Sequence, residues 1–224
     1  MNNTQLSGAL GEPSVLASLR LLVPQREATP TEALRVAEQQ AQRLLHRLGI
    51  KDGPVPEGLL LDLPRIAIEY VSNLPTSGCS FWDSQRTSWI VQVNASEPIT
   101  RQRFTLFHEY KHIIDHGRAG FLYGKTADAA RRAEQVADFF AGCVLMPRPF
   151  VKHAWGNGLQ TATTLAAYFD VSTIAAEVRI SQIGLASTRD RCAPPTRSRT
   201  GERFGHYYRQ FSINGQPALL RTEG

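Results

Sequence analysis

Residues 101–116 read RQRFTLFHEYKHIIDH, and the fold turns on how that stretch is read. His108, Glu109 and His112 form an HExxH pattern. On a helix, residues four apart lie one turn apart on the same face, so both imidazoles can reach one metal ion. Glu109 points toward the side where an attacking water would sit. That is the arrangement of a zinc-dependent peptidase, with neutral imidazoles on Zn²⁺ and a carboxylate that takes a proton from water. The same five residues also fit an amphipathic core helix with two hydrogen-bonded histidines. Phe104, Leu106, Phe107, Ile113 and Ile114 make the segment apolar on several sides. Titratable groups on so buried a helix need a partner, and a metal would be one.

Catalytic zinc usually takes three protein ligands and keeps one position open. Position 118 is Arg118, so a third histidine at metzincin spacing is absent. His116 lies two turns beyond His108, about 12 Å along the axis, and reads as a helix-end or supporting residue. The better third ligand is in RRAEQVADFFAGCVLMP at residues 131–147. Glu134 there would complete a His₂Glu site. Asp138, one turn further on, would accept a hydrogen bond from the free nitrogen of one histidine and fix its tautomer. The plainer reading of Glu134 is a solvated helix face. Ala133, Val136, Ala137 and Phe140 around it weigh against that.

The two motifs together, RFTLFHEYKHIIDH and then AEQVADFFAGCVLMP, resemble the ImmA/IrrE group of metallopeptidases from about residue 64 to about residue 185. The resemblance implies that His108, His112 and Glu134 are metal ligands and Glu109 the catalytic acid/base. Asp138 stands where that family often has Asn, Lys111 where it often has Gly, and Cys143-Val144 departs from its usual pair. None of these removes a ligand. The resemblance also implies a zincin-like fold and a protein substrate. That substrate would be a helix-turn-helix transcriptional repressor, cut in a stress-response, mobile-element or toxin–antitoxin setting. Zn²⁺ is the default for such a donor set, with Mn²⁺ as a substitute.

At 224 residues the chain is long enough for one sizeable core. Hydrophobic content of 42% and charged content of 20% are those of a globular protein. The net charge of +5 suits an acidic partner without demanding one. Cys79, Cys143 and Cys192 are far apart with no CxxC, which argues against a disulfide framework and fits a reducing cytoplasm. No apolar run approaches the roughly 20 residues of a membrane span. No secretory signal is read at the N-terminus.

The pattern predicts an α+β protein: a small antiparallel or mixed sheet of three strands packed on a helical bundle, followed by a helix-turn-helix-like pair. Residues 1–28 read as a loosely attached extension, with a short helix near residues 15–22 as an option. Thr29-Pro30-Thr31-Glu32 signs a helix start, and a stripe from Leu34 to Leu48 runs to Gly49. By resemblance that helix packs beneath the HExxH helix. Residues 66–71 alternate as a strand, and residues 79–94 read as a hairpin with Trp89, Val91 and Val93 on one face. An exposed edge of that sheet could take an extended peptide by strand addition, or be an ordinary edge. Residues 29–147 would be the peptidase domain.

Residues 148–187 carry the helical pair, with LAAYFDVS around its turn. DNA binding through its second helix is the less favoured reading. Glu177 and Arg179 are that helix's only charges before Gln182, a poor set for phosphates. Residues 188–224 form a basic, Arg- and aromatic-containing tail. Tyr168, His153 and Tyr123 are candidates by type for stabilising an oxyanion. The alternative to catalysis is a weakly catalytic or non-catalytic module that binds a regulator or DNA through residues 160–180 and the tail.

Overall fold

The computed structural model describes residues 13–61 and 63–185. Helix α1 (Val15–Arg20) is capped by Ser14, whose hydroxyl accepts from the Ala17 amide. Helix α2 (Pro30–Arg47) starts at a full capping box. The Glu32 amide donates to Thr29 Oγ1 at 3.2 Å, and the Thr29 amide donates to Glu32 Oε2 at 2.9 Å. Such a cap contributes about 1 kcal/mol. Pro30 sits in the first turn, where its missing amide hydrogen costs nothing. Gly49, at φ 73°, lets the chain leave the helix.

Three strands follow: β1 (Ile66–Val71), β2 (Gly78–Asp83) and β3 (Ser88–Asn94). Their order is β1-β3-β2, with β1 parallel and β2 antiparallel to β3. The sheet is mixed, and β3 is central because it pairs on both sides. Trp89, Val91 and Val93 share one face and are buried. Ser80 and Trp82 of β2 stand opposite Val91 and Trp89, and so face the same way.

Helix α3 (Ile99–Asp115) carries the HExxH residues and lies against β2 and β3. After the short α4 (Ala119–Tyr123) comes α5 (Ala129–Leu145), which bears Glu134 and Asp138. It starts at Ala129. Asp128 occupies the cap position without a side-chain cap bond. Helix α2 packs chiefly on α5, not on α3 as the resemblance implied, so α5 lies between them. The reason is visible in α5. Val136, Ala137, Phe140, Ala141, Cys143, Val144 and Leu145 are all buried, so the helix is apolar most of the way round.

Where the sequence suggested a loosely attached stretch, residues 13–28 are packed. Leu19, Val23 and Ala28 are buried. Arg20 donates to the carbonyls of Ile113 (2.7 Å) and Ile114 (3.2 Å), closing the C-terminal end of α3. The remainder of that stretch and the basic tail lie outside the described residues.

Helices α6 (Arg148–Gly156), α7 (Ala162–Phe169) and α8 (Thr173–Ile183) complete the fold. Two buried arginines bolt the α7–α8 pair to the rest. Arg103 on α3 pairs with Asp170 in the turn and donates to the Val55 carbonyl at 2.7 Å. Arg179 on α8 donates to the Met146 carbonyl at 2.8 Å, with Glu38 of α2 at 3.7 Å. The basic residue of the second helix therefore points inward.

Candidate metal centre

The i, i+4 spacing on α3 and the same spacing on α5 bring four titratable side chains together. His108 Nε2 lies 3.1 Å from His112 Nε2. Glu134 reaches both rings, Oε2 at 3.2 Å from His108 Nε2 and Oε1 at 3.4 Å from His112 Nε2. One ligand atom from each of the three lies within 4.8 Å of the others. Asp138 Oδ1 is 2.9 Å from His108 Nδ1, the ring nitrogen turned away from Glu134. That bond fixes which nitrogen of His108 faces the cluster. The side chains are 12% (His108), 19% (Glu134), 28% (Asp138) and 29% (His112) exposed, so the cluster opens toward solvent on the His112 side.

Burial opposes charge on His108, yet hydrogen bonds to Asp138 and Glu134 and nearby carboxylate charge raise its pKa to about 10. Burial likewise opposes charge on Glu134, and the two imidazoles overcome it, bringing that carboxyl to about 2. The site thus stabilises positive charge between its carboxylates. A divalent ion supplies such charge without a proton. Two imidazoles and one carboxylate are the donor set of zinc and its first-row neighbours, so the residues present fit a metal.

Glu109 is buried beside this cluster, and its Oε2 accepts a hydrogen bond from Ser80 Oγ at 2.9 Å. Sequence reasoning missed Ser80. Its hydroxyl meets Glu109 only because β2 lies very close to α3. Gly78 permits that approach: a Cβ there would come within 2.5 Å of Thr105 Cγ2 and 2.7 Å of the Gln92 carbonyl oxygen. A glycine two residues before a serine in a strand was the only trace in the sequence.

The remaining candidates lie elsewhere. Tyr123 is buried and its hydroxyl donates to Asp115. His153 Nδ1 pairs with Asp52 Oδ2 at 2.8 Å. Tyr168 is exposed and stacks edge-on against Phe169. His116 caps the end of α3 and lies edge-on to Trp89, with ring centroids 4.8 Å apart.

An HExxH helix, a carboxylate from a neighbouring helix and a small mixed sheet beside them outline a metallopeptidase-like domain. Residues 65–181, from β1 into α8, match the Peptidase_M78 family, the IrrE N-terminal-like domain, and the chain belongs to that family. No curated protein matches it in sequence. Its fold is similar to that of a solved Mycobacterium tuberculosis transcriptional regulator, with a TM-score of 0.55 and 14% identity, over 80% of this chain and 54% of that one. The chain therefore spans about half the length of that regulator.

Proposed function

We propose that the protein is a zinc-dependent endopeptidase of zincin-like design that cuts a protein substrate. The carrying observation is the convergence of His108, His112 and Glu134, with Glu109 buried alongside. His108, His112 and Glu134 would hold Zn²⁺, with Mn²⁺ as a substitute. A bound ion supplies Lewis acidity and lowers the pKa of water toward about 7. Glu109, oriented by Ser80, accepts the proton of the attacking water and passes it to the leaving amine. Asp138 holds the His108 ring. The free edge of β2 takes the substrate backbone as an added strand.

The family resemblance supports a helix-turn-helix repressor as substrate, in a stress-response, mobile-element or toxin–antitoxin setting in the cytoplasm. The similarity in fold to a transcriptional regulator agrees with a regulatory setting. Residues 29–147 form the peptidase unit in this reading, and residues 148–187 are a helical pair fixed to it. Residues 188–224 are a basic tail. No described helix is long and apolar enough to cross a membrane. Arg179 is buried, which leaves Glu177 as the charged group on the exposed side of α8 and weighs against DNA reading there.

The test incubates purified protein and Zn²⁺ or Mn²⁺ with the repressor encoded beside it, and analyses fragments by mass spectrometry. Wild type cleaves at a defined bond. Glu109→Gln keeps its metal and loses at least about 100-fold in rate. Undiminished cleavage by that variant refutes the role of Glu109. Intact repressor together with a chelator-insensitive DNA shift would favour a binding module instead.

A further inference from the structure

The candidate centre sits over one edge of the sheet, and the two ends of that edge differ in chemistry. Among the described residues β2 is paired with β3 alone, so its other side is open to an added strand. Strand β2 and helix α3 run side by side in the same direction, as three contacts show. Near the start of α3, Arg101 Nη2 reaches the Ser77 hydroxyl just before β2, at 3.2 Å. Midway, Ser80 bonds Glu109. At the end, His116 lies on Trp89, whose ring meets that of Trp82 with centroids 5.6 Å apart. The reacting groups are thus flanked by a guanidinium on one side and an aromatic group on the other.

Both flanking groups face solvent. The Arg101 side chain is 54% exposed and lies over the Phe104 ring at 5.7 Å. Phe104 in turn sits 6.4 Å from the His108 ring. Glu97 is Arg101's acidic neighbour, at a long 3.8 Å, and its other oxygen accepts from Ser77 at 2.8 Å. The Nη1 group of Arg101 has no partner among the described residues. Trp82 is 44% exposed, a large apolar surface to leave open beside a candidate active site.

We propose that this edge reads its substrate at two ends: Arg101 selects an acidic side chain, and Trp82, backed by Trp89 and His116, selects a bulky apolar one. The spacing follows from the strand. Ser77 and Trp82 are five positions apart, and a strand added beside β2 rises at the same roughly 3.3 Å per residue. Arg101 and Trp82 both lie on the α3 side of the sheet and strand side chains alternate, so the two selected side chains are an even number of residues apart, four or six by this length, on opposite sides of the bond addressed by Glu109. An extended polypeptide fits better than a nucleic acid. Only a peptide backbone can complete the hydrogen-bond ladder of a sheet edge, and a single guanidinium is too little for a phosphate chain. The inference deepens the peptidase reading and rests on it for the scissile bond alone.

The experiment uses full-length, zinc-loaded Glu109→Gln protein and fluorescein-labelled decapeptides. These pair Glu or Lys at one position with Phe or Ser four or six positions away, in both chain orders. Fluorescence anisotropy should show the Glu/Phe peptide binding tightest in one order. Arg101→Glu should reverse the Glu-over-Lys preference, and Trp82→Thr, which keeps a strand-forming residue, should erase the Phe-over-Ser preference. Each change is roughly three- to tenfold, with zinc content and melting temperature unmoved. Wild-type protein should cleave the preferred peptide between the two positions. Biased binding without cleavage by wild type would sink the peptidase reading and leave the two subsites standing. Cleavage without bias, bias untouched by the variants, or tighter binding of a labelled oligothymidylate would overturn the proposal.

Discussion

Helix α3 carries two clusters of charged and polar side chains on adjoining faces, one enclosed and one at the front, and they differ in one respect. On the enclosed face, Lys111 is fully buried and its ammonium lies 2.5 Å from Asp115 Oδ1. The other oxygen of Asp115 accepts from the Tyr123 hydroxyl. One cation, one anion and one hydroxyl close on themselves. On the front, two imidazole nitrogens face each other at 3.1 Å, and both oxygens of Glu134 converge on them. With neutral rings those atoms include more acceptors than donors, and something positive is missing between them. Burial of charge alone therefore does not mark a functional site. A cluster that needs an added cation to close does.

The contrast is sharpest in stability. Asp115→Ala should leave a buried ammonium uncompensated and cost about 3–5 kcal/mol, read by urea unfolding, while the folded fraction still binds zinc. Glu134→Ala should do the reverse. The metal-free protein should lose less, about 1–3 kcal/mol, because the cluster is partly open and Asp138 still pairs with His108. Its zinc affinity, by competition with a chromophoric chelator, should fall on the order of 100-fold or more. If Glu134→Ala retains full zinc occupancy, another residue is the ligand. If Asp115→Ala costs nothing, the enclosed cluster is not the buried pair described.

A smaller effect tests how the front face is built. In Gly78→Ala the new Cβ would meet the Gln92 carbonyl oxygen at 2.7 Å, and backbone of the central strand cannot yield cheaply. The expected cost is about 1–3 kcal/mol. The displacement of β2 should also loosen Ser80 from Glu109 and slow cleavage more than it weakens zinc binding. Equal loss of both would mean that the strand does not position the base.

What the sequence made legible follows from how local each feature is. The ligand pairs sit at helical spacing within single helices, so HEYKH and EQVAD could be placed before any coordinates. The capping box of α2 and the alternation in β3 are equally local. Ser80 was not legible, because its bond depends on how closely a strand and a helix approach. The burial of Lys111 was not legible either, because Asp115 and Tyr123 enclose it only in the folded chain. Arg179 reads as a basic group of a recognition helix, and only the packing of α8 on α5 turns it inward to Met146 and Glu38. The packing of residues 13–28 and the position of α5 between α2 and α3 are likewise tertiary outcomes that local pattern does not carry.

The subtlest contrast is in protons. In the metal-free protein His108 titrates near 10 against 6.5 for the free side chain, and Glu134 near 2 against 4.5. His108 is raised, so its contribution to stability is complete below pH 6.5 and disappears as pH climbs through about 10. Glu134 is lowered, so its contribution is present above pH 4.5 and lost as pH falls through about 2. Metal-free stability from this cluster should therefore be flat between those limits, from pH 4.5 to 6.5, and decline on either side. A metal needs the imidazole free of its proton. From pH 6.5 to about 9 each ion bound should then release close to one proton, and zinc affinity should rise about tenfold per pH unit, roughly 1.4 kcal/mol. Calorimetric titrations in two buffers of different ionisation enthalpy measure that release directly. Zinc binding with no proton release at pH 8 would show that His108 is already neutral, and that the front cluster closes without the positive charge on which the comparison depends.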